Sequence, residues 1–404
     1  MKDRVVVTDA EERASLAACR GLASAGYRVC ALAPRRSAAG HWSRFPAERM
    51  LAPDPRENVD AFVAAVDEAL RDDPRSLLVP GSDASLLAVS EHRDRLGRSA
   101  VLGLPSRESV RRGGDKLLLL ELAAEAGLAP PPSRACRHVD DARAAGAELG
   151  YPLVLKPARS FLSEGAGLYQ QRVEVVQHES ELKQKLRRFT PPFVVQRYEQ
   201  ASFLSCSGVV AEGRLLALTT SRVLRLWPPG AGMHCYSETV RVPPGLTGRV
   251  RHLLNGVGWQ GIFQLQMLEL DDGRLSVIDL NARLFASVAL DVSAGANLAA
   301  IWCDWLLGHN PSPLVARPGL RYRWEEGELC HLGWQLGHFR LRAAASVLLP
   351  HRRVTHAWFR LSDPGPLLAR AYELTLGRWM RLPRRRVRRL GRGGAVDAPE
   401  AVPR

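Results

Sequence analysis

The chain opens on a β-branched run, Arg4-Val5-Val6-Val7, that reads as a buried strand. From Glu11 to Ala25 apolar residues return at helical spacing, and Gly26 is placed to stop the helix. Tyr27–Leu32 is a second strand, which completes a βαβ unit and predicts a parallel sheet. A helix over Asn58–Leu70 and a strand over Leu77–Pro80 extend that sheet, leaving Gly81-Ser82-Asp83 where open α/β sheets carry ligand loops. The first βα turn is Thr8-Asp9-Ala10 and lacks G-x-G-x-x-G, which argues against a nicotinamide or flavin cofactor.

The pattern then changes. A helix is predicted over Asp115–Ala126, ended by Gly127 and the turn Ala129-Pro130-Pro131-Pro132. Short strands follow at Pro152–Lys156 and Phe193–Tyr198, separated by a Ser/Gly loop over Ala158–Gly167. Residues 203–226 read as two strands around Glu212-Gly213, and residues 259–283 as a hairpin. Beyond about residue 310 the spacing becomes helical, and six of the nine tryptophans fall between Trp302 and Trp379. The expected reading is a helical subdomain whose tryptophans pack on the rest of the chain.

The length of 404 residues allows two to four domains at ~100–200 residues each. No apolar run approaches the ~18–20 residues of a membrane span, and Met1–Ala10 contains no signal-peptide core. Seven scattered cysteines without metal-ligand spacing are expected to be reduced thiols of a cytoplasmic protein. The net charge of +14 is unevenly held: Arg378–Arg392 supplies eight arginines and no acid. That run is expected to give reversible contact with anionic membranes, placing the protein peripherally at the inner face, with Trp379 as an interfacial anchor. Nucleic acid is not expected, because no aromatic-interleaved basic motif accompanies the run. Only five of the 56 basic residues are lysines, which makes each lysine informative.

Two of those lysines stand at structured positions. Lys116 follows Gly113-Gly114-Asp115 at a helix start, and Lys156 ends a strand before the Ser/Gly loop, where it could reach a nucleotide phosphate. The hairpin carries the strongest signal. With Asp272-Gly273 as the turn, Gln266 lies opposite Asp279, and Asn281 and Arg283 share the face of Asp279. Hard oxygen ligands of this kind suit magnesium, and the guanidinium suits a phosphoryl oxygen. Arg222 and Arg225 are read as a carboxylate anchor at the substrate end, or simply as two more arginines of an arginine-rich chain.

The ordered set of Asp115-Lys116, Tyr151–Pro157 with Lys156, Phe193–Tyr198, and Gln266 with Asp279-x-Asn281-x-Arg283 resembles the ATP-grasp superfamily, in its carboxylate–amine ligase branch. That branch is similar in its nucleotide domain to carbamoyl-phosphate synthetase and biotin carboxylase. The resemblance implies an α/β and α+β fold class: a pre-ATP-grasp parallel α/β domain, then a two-lobed ATP-grasp fold, then a mainly helical appendage. The corresponding spans are 1–105, 106–310 (small lobe about 120–195, large lobe about 196–310) and 311–390, with a disordered tail over 391–404. It implies ATP with Mg2+ or Mn2+ as cofactors, and a small-molecule carboxylate and an amine as substrates joined through an acyl phosphate. Lys116 and Lys156 match the phosphate-contacting positions, Gln196, Arg197 and Tyr198 the adenine hinge, and Glu199 a ribose contact. Gln266, Asp279 and Asn281 match the metal ligands, and Arg283 the residue that steadies the transferred phosphoryl group; Lys156 and Arg283 are thus the expected catalytic pair. Many relatives have Glu where this chain has Gln266 and Asp279, so the site carries less negative charge. A phosphotransferase and a degenerate nucleotide-binding protein remain the alternatives. The oligomeric state is left open, a homodimer included.

Overall fold

A computed structural model describes residues 2–97, 101–159, 161–171, 173–229 and 232–375. The Arg378–Arg392 run, Trp379, Ser160, Gly230 and the tail beyond them lie outside the described residues.

The first unit is a parallel sheet of β1 (Arg4–Val7), β2 (Arg28–Ala33), β3 (Glu48–Leu51) and β4 (Leu77–Val79), in the order β3-β2-β1-β4. Alternation along β1 sends Val5 and Val7 against the helix Arg13–Ser24, and Val6 against the helix Val59–Arg71 on the opposite face. Strand order reverses between β1 and β4, so a crevice opens at their carboxyl ends. The walls of that crevice are braced by Asp9. Its carboxylate accepts from the Gly81 amide at 3.1 Å, Ser82 Oγ at 2.8 Å and Ser85 Oγ at 2.9 Å. Gly81 is required there, because a Cβ would stand 2.1 Å from Ser15 Oγ and 2.5 Å from the Thr8 carbonyl oxygen.

A second, antiparallel sheet contains β5 (Ser133–Cys136), β6 (Leu153–Pro157), β9 (Glu174–Val176) and β10 (Phe193–Arg197), in the order β5-β10-β6-β9. Leu153 and Leu155 pack into the core of this lobe, so Val154 and Lys156 project from the other face. The segment expected as an open Ser/Gly loop is instead a hairpin, β7 (Phe161–Glu164) with β8 (Gly167–Gln170). Its turn docks on the first unit, the Val59 amide donating to the Ala166 carbonyl at 2.9 Å and the Leu168 amide to the Arg56 carbonyl at 3.2 Å.

The third sheet has eight strands. It runs β15 (Leu275–Asn281), β14 (Gly261–Glu269), β11 (Ser202–Ala211), β12 (Arg214–Trp227), β13 (Met233–Val240), β17 (Arg321–Arg323) and β18 (Val354–His356), with β16 (Leu314–Val315) on β12. The helices Lys116–Glu125 and Leu246–Val257 cover one face. The helices Val288–Ser293 and Leu298–Leu306 join the other face to the helix Arg13–Ser24 of the first unit.

The C-terminal region carries the expected helices, Glu325–Gly337, Leu341–Leu348 and Gly365–Leu374, but also lends β17 and β18 to the large sheet. Two ion pairs tie it back to the first unit. Arg20 Nε meets Asp363 at 2.9 Å with both side chains buried, and Arg35 Nε meets Glu373 at 2.6 Å. Among the described residues no helix is long and apolar enough to cross a membrane.

Candidate active site

The three units enclose a cleft of about 1350 Å3. One end is lined by Lys116, Asp279, Asn281 and Arg283, with Asp83 beside them. The other is lined by Arg13, Arg35, Trp324, Trp358 and Arg370.

Lys116 reaches the first end because Asp115 caps its helix, accepting from the Leu117 amide at 2.9 Å and the Leu118 amide at 3.2 Å. The Lys116 amide also donates to the Ala158 carbonyl at 3.0 Å, which ties this helix start to the end of β6. Lys116 Nζ then pairs with Asp279 Oδ1 at 2.5 Å.

The β14–β15 hairpin places Asp279. Gln266 stands opposite Asp279, as the sequence register predicts, but the local route differs. The turn holds three residues, Asp271-Asp272-Gly273, closed by the Leu270 amide donating to the Arg274 carbonyl at 3.0 Å. That register would put Gln266 opposite Ile278. A bulge between Gln266 and Met267 restores the pairing by giving β15 one extra residue, Ile278. The Ile278 carbonyl accepts from Lys156 Nζ at 2.9 Å, so the bulge is where the two lobes meet at the site. Lys156 is 8% exposed. Burial pulls its ammonium down to about 8, with Asp279 opposing and the Lys116 charge adding to the fall. For Asp279, burial alone would raise the carboxyl, but Lys116, Lys156 and Arg283 together hold it below its ordinary value. The carboxylate is therefore ionised at neutral pH.

Asn281 and Arg283 continue the same face. Arg283 Nη2 donates to Asn281 Oδ1 at 3.0 Å and to Asp83 Oδ2 at 2.7 Å. Burial disfavours this guanidinium, but the charges of Asp83 and Asp279 outweigh that and raise its affinity for the proton. Its Nε is buried without a partner, so one donor remains to be satisfied. Two contributors escaped the sequence reading. Gln264 lies opposite Asn281 and accepts from Asn281 Nδ2 at 3.1 Å; the same register that paired Gln266 with Asp279 predicts this pair. Asp83 was noted only as part of a ligand loop.

The oxygen donors of Asp279, Asn281 and Gln266 are all hard and carry a single negative charge between them. Among the described residues no group of three or more His, Cys, Asp or Glu could hold a metal ion alone. This donor set fits a magnesium ion that arrives with phosphate oxygens and keeps part of its own shell.

The other expected residues sit elsewhere. Gln196 is buried on β10 and donates to Ser133 Oγ at 2.8 Å. The amides of Arg197 and Tyr198 donate to the carbonyls of Pro132 at 2.9 Å and Pro152 at 3.1 Å, so neither is free to read a base. Glu199 pairs with Arg197 at 2.8 Å. None of the four lines the cleft, though they form the connection between the two lobes. Arg222 and Arg225 do not reach it either. Arg222 pairs with Glu269 at 2.7 Å on the surface. Arg225 forks onto the buried Glu328 at 2.7 and 2.6 Å and stacks on Tyr236, where it locks the helix Glu325–Gly337 to the sheet. Both guanidinia are consumed by partners the sequence could not reveal.

No protein-family profile matches the chain. The chain is 27% identical over 244 residues to the carbamoyl phosphate synthase arginine-specific large chain, mitochondrial, of Neurospora crassa, covering 54% of this chain and 20% of that one. It is 23% identical over 285 residues to the carbamoyl phosphate synthase large chain, C-terminal section, of Aquifex aeolicus, covering 65% of this chain and 48% of that one. The chain thus spans a fifth to about half the length of these relatives. Among solved structures, the biotin carboxylase domain of a Hydrogenobacter thermophilus 2-oxoglutarate carboxylase, complexed with MgADP and bicarbonate, superimposes with a TM-score of 0.61 at 15% identity. That match covers 79% of this chain and 73% of the other. The Staphylococcus aureus N5-carboxyaminoimidazole synthetase with ADP gives 0.59 at 12% identity, covering 79% and 80%. An L-amino acid ligase of Bacillus licheniformis gives 0.56 at 16% identity, covering 80% and 78%. These likenesses establish the architecture.

Proposed function

We propose, on the premise that this chain has the ATP-grasp fold of those proteins, that it is an ATP-dependent ligase joining a small-molecule carboxylate to an amine. A carboxylate oxygen attacks the γ-phosphorus of ATP, and ADP leaves. The amine then attacks the acyl carbon of the mixed anhydride, and phosphate leaves. One observation carries the reading: Lys116, Asp279, Asn281 and Arg283 converge at one end of a cleft, and Lys156 is joined to the same strand at the Ile278 carbonyl.

Each group has a role that follows from its setting. Lys116 and Lys156 donate to phosphate oxygens, Lys116 exchanging its present carboxylate partner for the nucleotide. Arg283, held by Asp83 and Asn281, presents its guanidinium to the transferring phosphoryl group. Phosphoryl transfer asks mainly for such positioning and charge neutralisation. Magnesium or manganese bound with the nucleotide adds further neutralisation, and Asp279, Asn281 and Gln266 are the residues to hold it. A nucleoside seated at the connection Gln196–Glu199 would have to displace the internal bonds of the Arg197 and Tyr198 amides.

An ADP-release screen of carboxylates crossed with amines tests this reading. Release that requires both partners is the expected result. Release with the acid alone, leaving a stable phosphorylated product, would make the protein a phosphotransferase instead.

A further inference from the structure

Arg13 is the first residue of the helix Arg13–Ser24, at the carboxyl end of β1, and it lines the cleft opposite the phosphate end. It is 7% exposed. Its guanidinium lies over the Trp324 ring, 3.9 Å from the centroid, and Nη2 approaches Met233 Sδ at 3.8 Å. Nη1 is buried without a partner, and Arg13 forms no ion pair among the described residues. A buried guanidinium with an open donor edge is costly unless an anion completes it. Nearly every other cation of this wall is already balanced: Arg35 pairs with Glu373, and Arg370 with Glu326 and Glu373. The helix itself adds to the pull, since its N-cap Glu12 supplies no side-chain cap and the first-turn amides face the crevice end of β1.

We propose that Arg13 binds a second carboxylate of the acid substrate, so that the preferred substrate is a dicarboxylate with one carboxyl phosphorylated near Arg283 and the other held on Arg13. A single carboxylate matches this arginine, which has no ion-pair partner among the described residues although Glu11 and Glu12 precede it on the same wall. The stacked Trp324 keeps the guanidinium plane fixed, which suits a planar carboxylate better than a point charge would. Trp227 and Trp358 line the same wall and supply the apolar surface for the body of the substrate. Both arginines line one cleft, so a single acid with two carboxyls can address both. This inference takes from the ligase reading only the identity of the reacting carboxylate.

The test uses the full chain with ATP, magnesium and hydroxylamine, which traps an acyl phosphate as a hydroxamate whatever the natural amine. Succinate, glutarate, adipate and terephthalate are compared with butyrate, pentanoate, hexanoate and 4-methylbenzoate, each pair differing by one terminal carboxyl. At least one diacid should show a KM about tenfold or more below its partner, the scale of one charge-assisted contact. Arg13→Met should erase that preference through KM rather than kcat, and Arg13→Lys should recover part of it. Melting curves supply a readout independent of turnover: the preferred diacid should raise the wild-type midpoint more than its monoacid partner, and Arg13→Met should remove the difference while still melting cooperatively. No diacid preference in either assay, or one that survives Arg13→Met, would overturn the proposal. Hydroxamate formed equally from both members of every pair would leave the ligase reading standing and the Arg13 assignment refuted. Diacid-selective melting shifts without any hydroxamate would refute the ligase reading alone.

Discussion

The two ends of the cleft hold their cations in opposite ways. At the phosphate end, Lys116 and Arg283 are paired with Asp279 and Asp83, so nucleotide must displace or share internal partners. At the other end, Arg13 keeps Nη1 without a hydrogen bond, and its neighbours are the Trp324 ring, the Met233 thioether and the Tyr322 hydroxyl. The first end is a preformed network poised for exchange, and the second is a socket. They differ as much in origin. Asp279, Asn281 and Arg283 lie within five residues on one strand end, whereas Arg13 lies more than three hundred residues from Trp324 and Arg370.

The largest expected effect breaks the network at its centre. Asp279→Asn removes the only carboxylate among the expected metal ligands and the partner of Lys116. Turnover should fall by at least about a hundred- to a thousandfold, while the melting curve stays cooperative. Near-normal ADP release would show that the two ends do not divide the work as described.

Arg225→Ala comes next, and it tests the claim that this residue belongs to the scaffold. Leaving the buried Glu328 with only Arg323 Nε, 3.6 Å away, should cost up to about 3–5 kcal/mol of stability, read by denaturant titration, with nucleotide affinity per folded molecule retained. Arg222→Ala, on the surface, should cost less than about 1 kcal/mol. Equal effects would remove the distinction between the two arginines.

Lys156→Ala should weaken ATP binding by about 1.5–3 kcal/mol in calorimetry. A smaller effect, with a defined sign, comes from its proton. Because burial brings Lys156 to about 8, the free protein loses this charge as pH rises through that value, while the unfolded chain keeps it to about its ordinary value. In that window the unfolded state binds more protons, so stability attributable to Lys156 rises with pH as phosphate affinity falls. Nucleotide phosphates favour the charged form. ATP binding near pH 8.5 should therefore take up protons, seen as a dependence of the binding heat on buffer ionisation enthalpy, and Lys156→Met should abolish that uptake.

What the sequence could reveal follows the same division. Periodicity was enough for the βαβ opening, the helix at Lys116 and the hairpin, because each is a local pattern. The pairing of Gln266 with Asp279 was legible, yet through two compensating details: a turn one residue longer than expected and a bulge at Ile278, which no glycine or proline announces. The arginine pair at 222 and 225 was misplaced because a guanidinium's role depends on its partner. Glu269 and Glu328 lie 47 and 103 residues away. Arg13 was overlooked for the complementary reason. Inside a helical pattern it reads as a surface residue, and only the packing of Trp324 against it shows that it is buried and unpaired.

The central claim is that this cleft activates a carboxylate by phosphorylation, and isotope transfer tests it most directly. An acid accepted in the screen, labelled with heavy oxygen in its carboxyl group, is turned over with ATP and the amine, and the released phosphate is analysed by mass. Attack by the carboxylate on phosphorus predicts that one labelled oxygen leaves with each phosphate, and that Asp279→Asn eliminates the labelled phosphate altogether. Amide formed with unlabelled phosphate would contradict the account, because the carboxyl oxygen would then never have bonded to phosphorus.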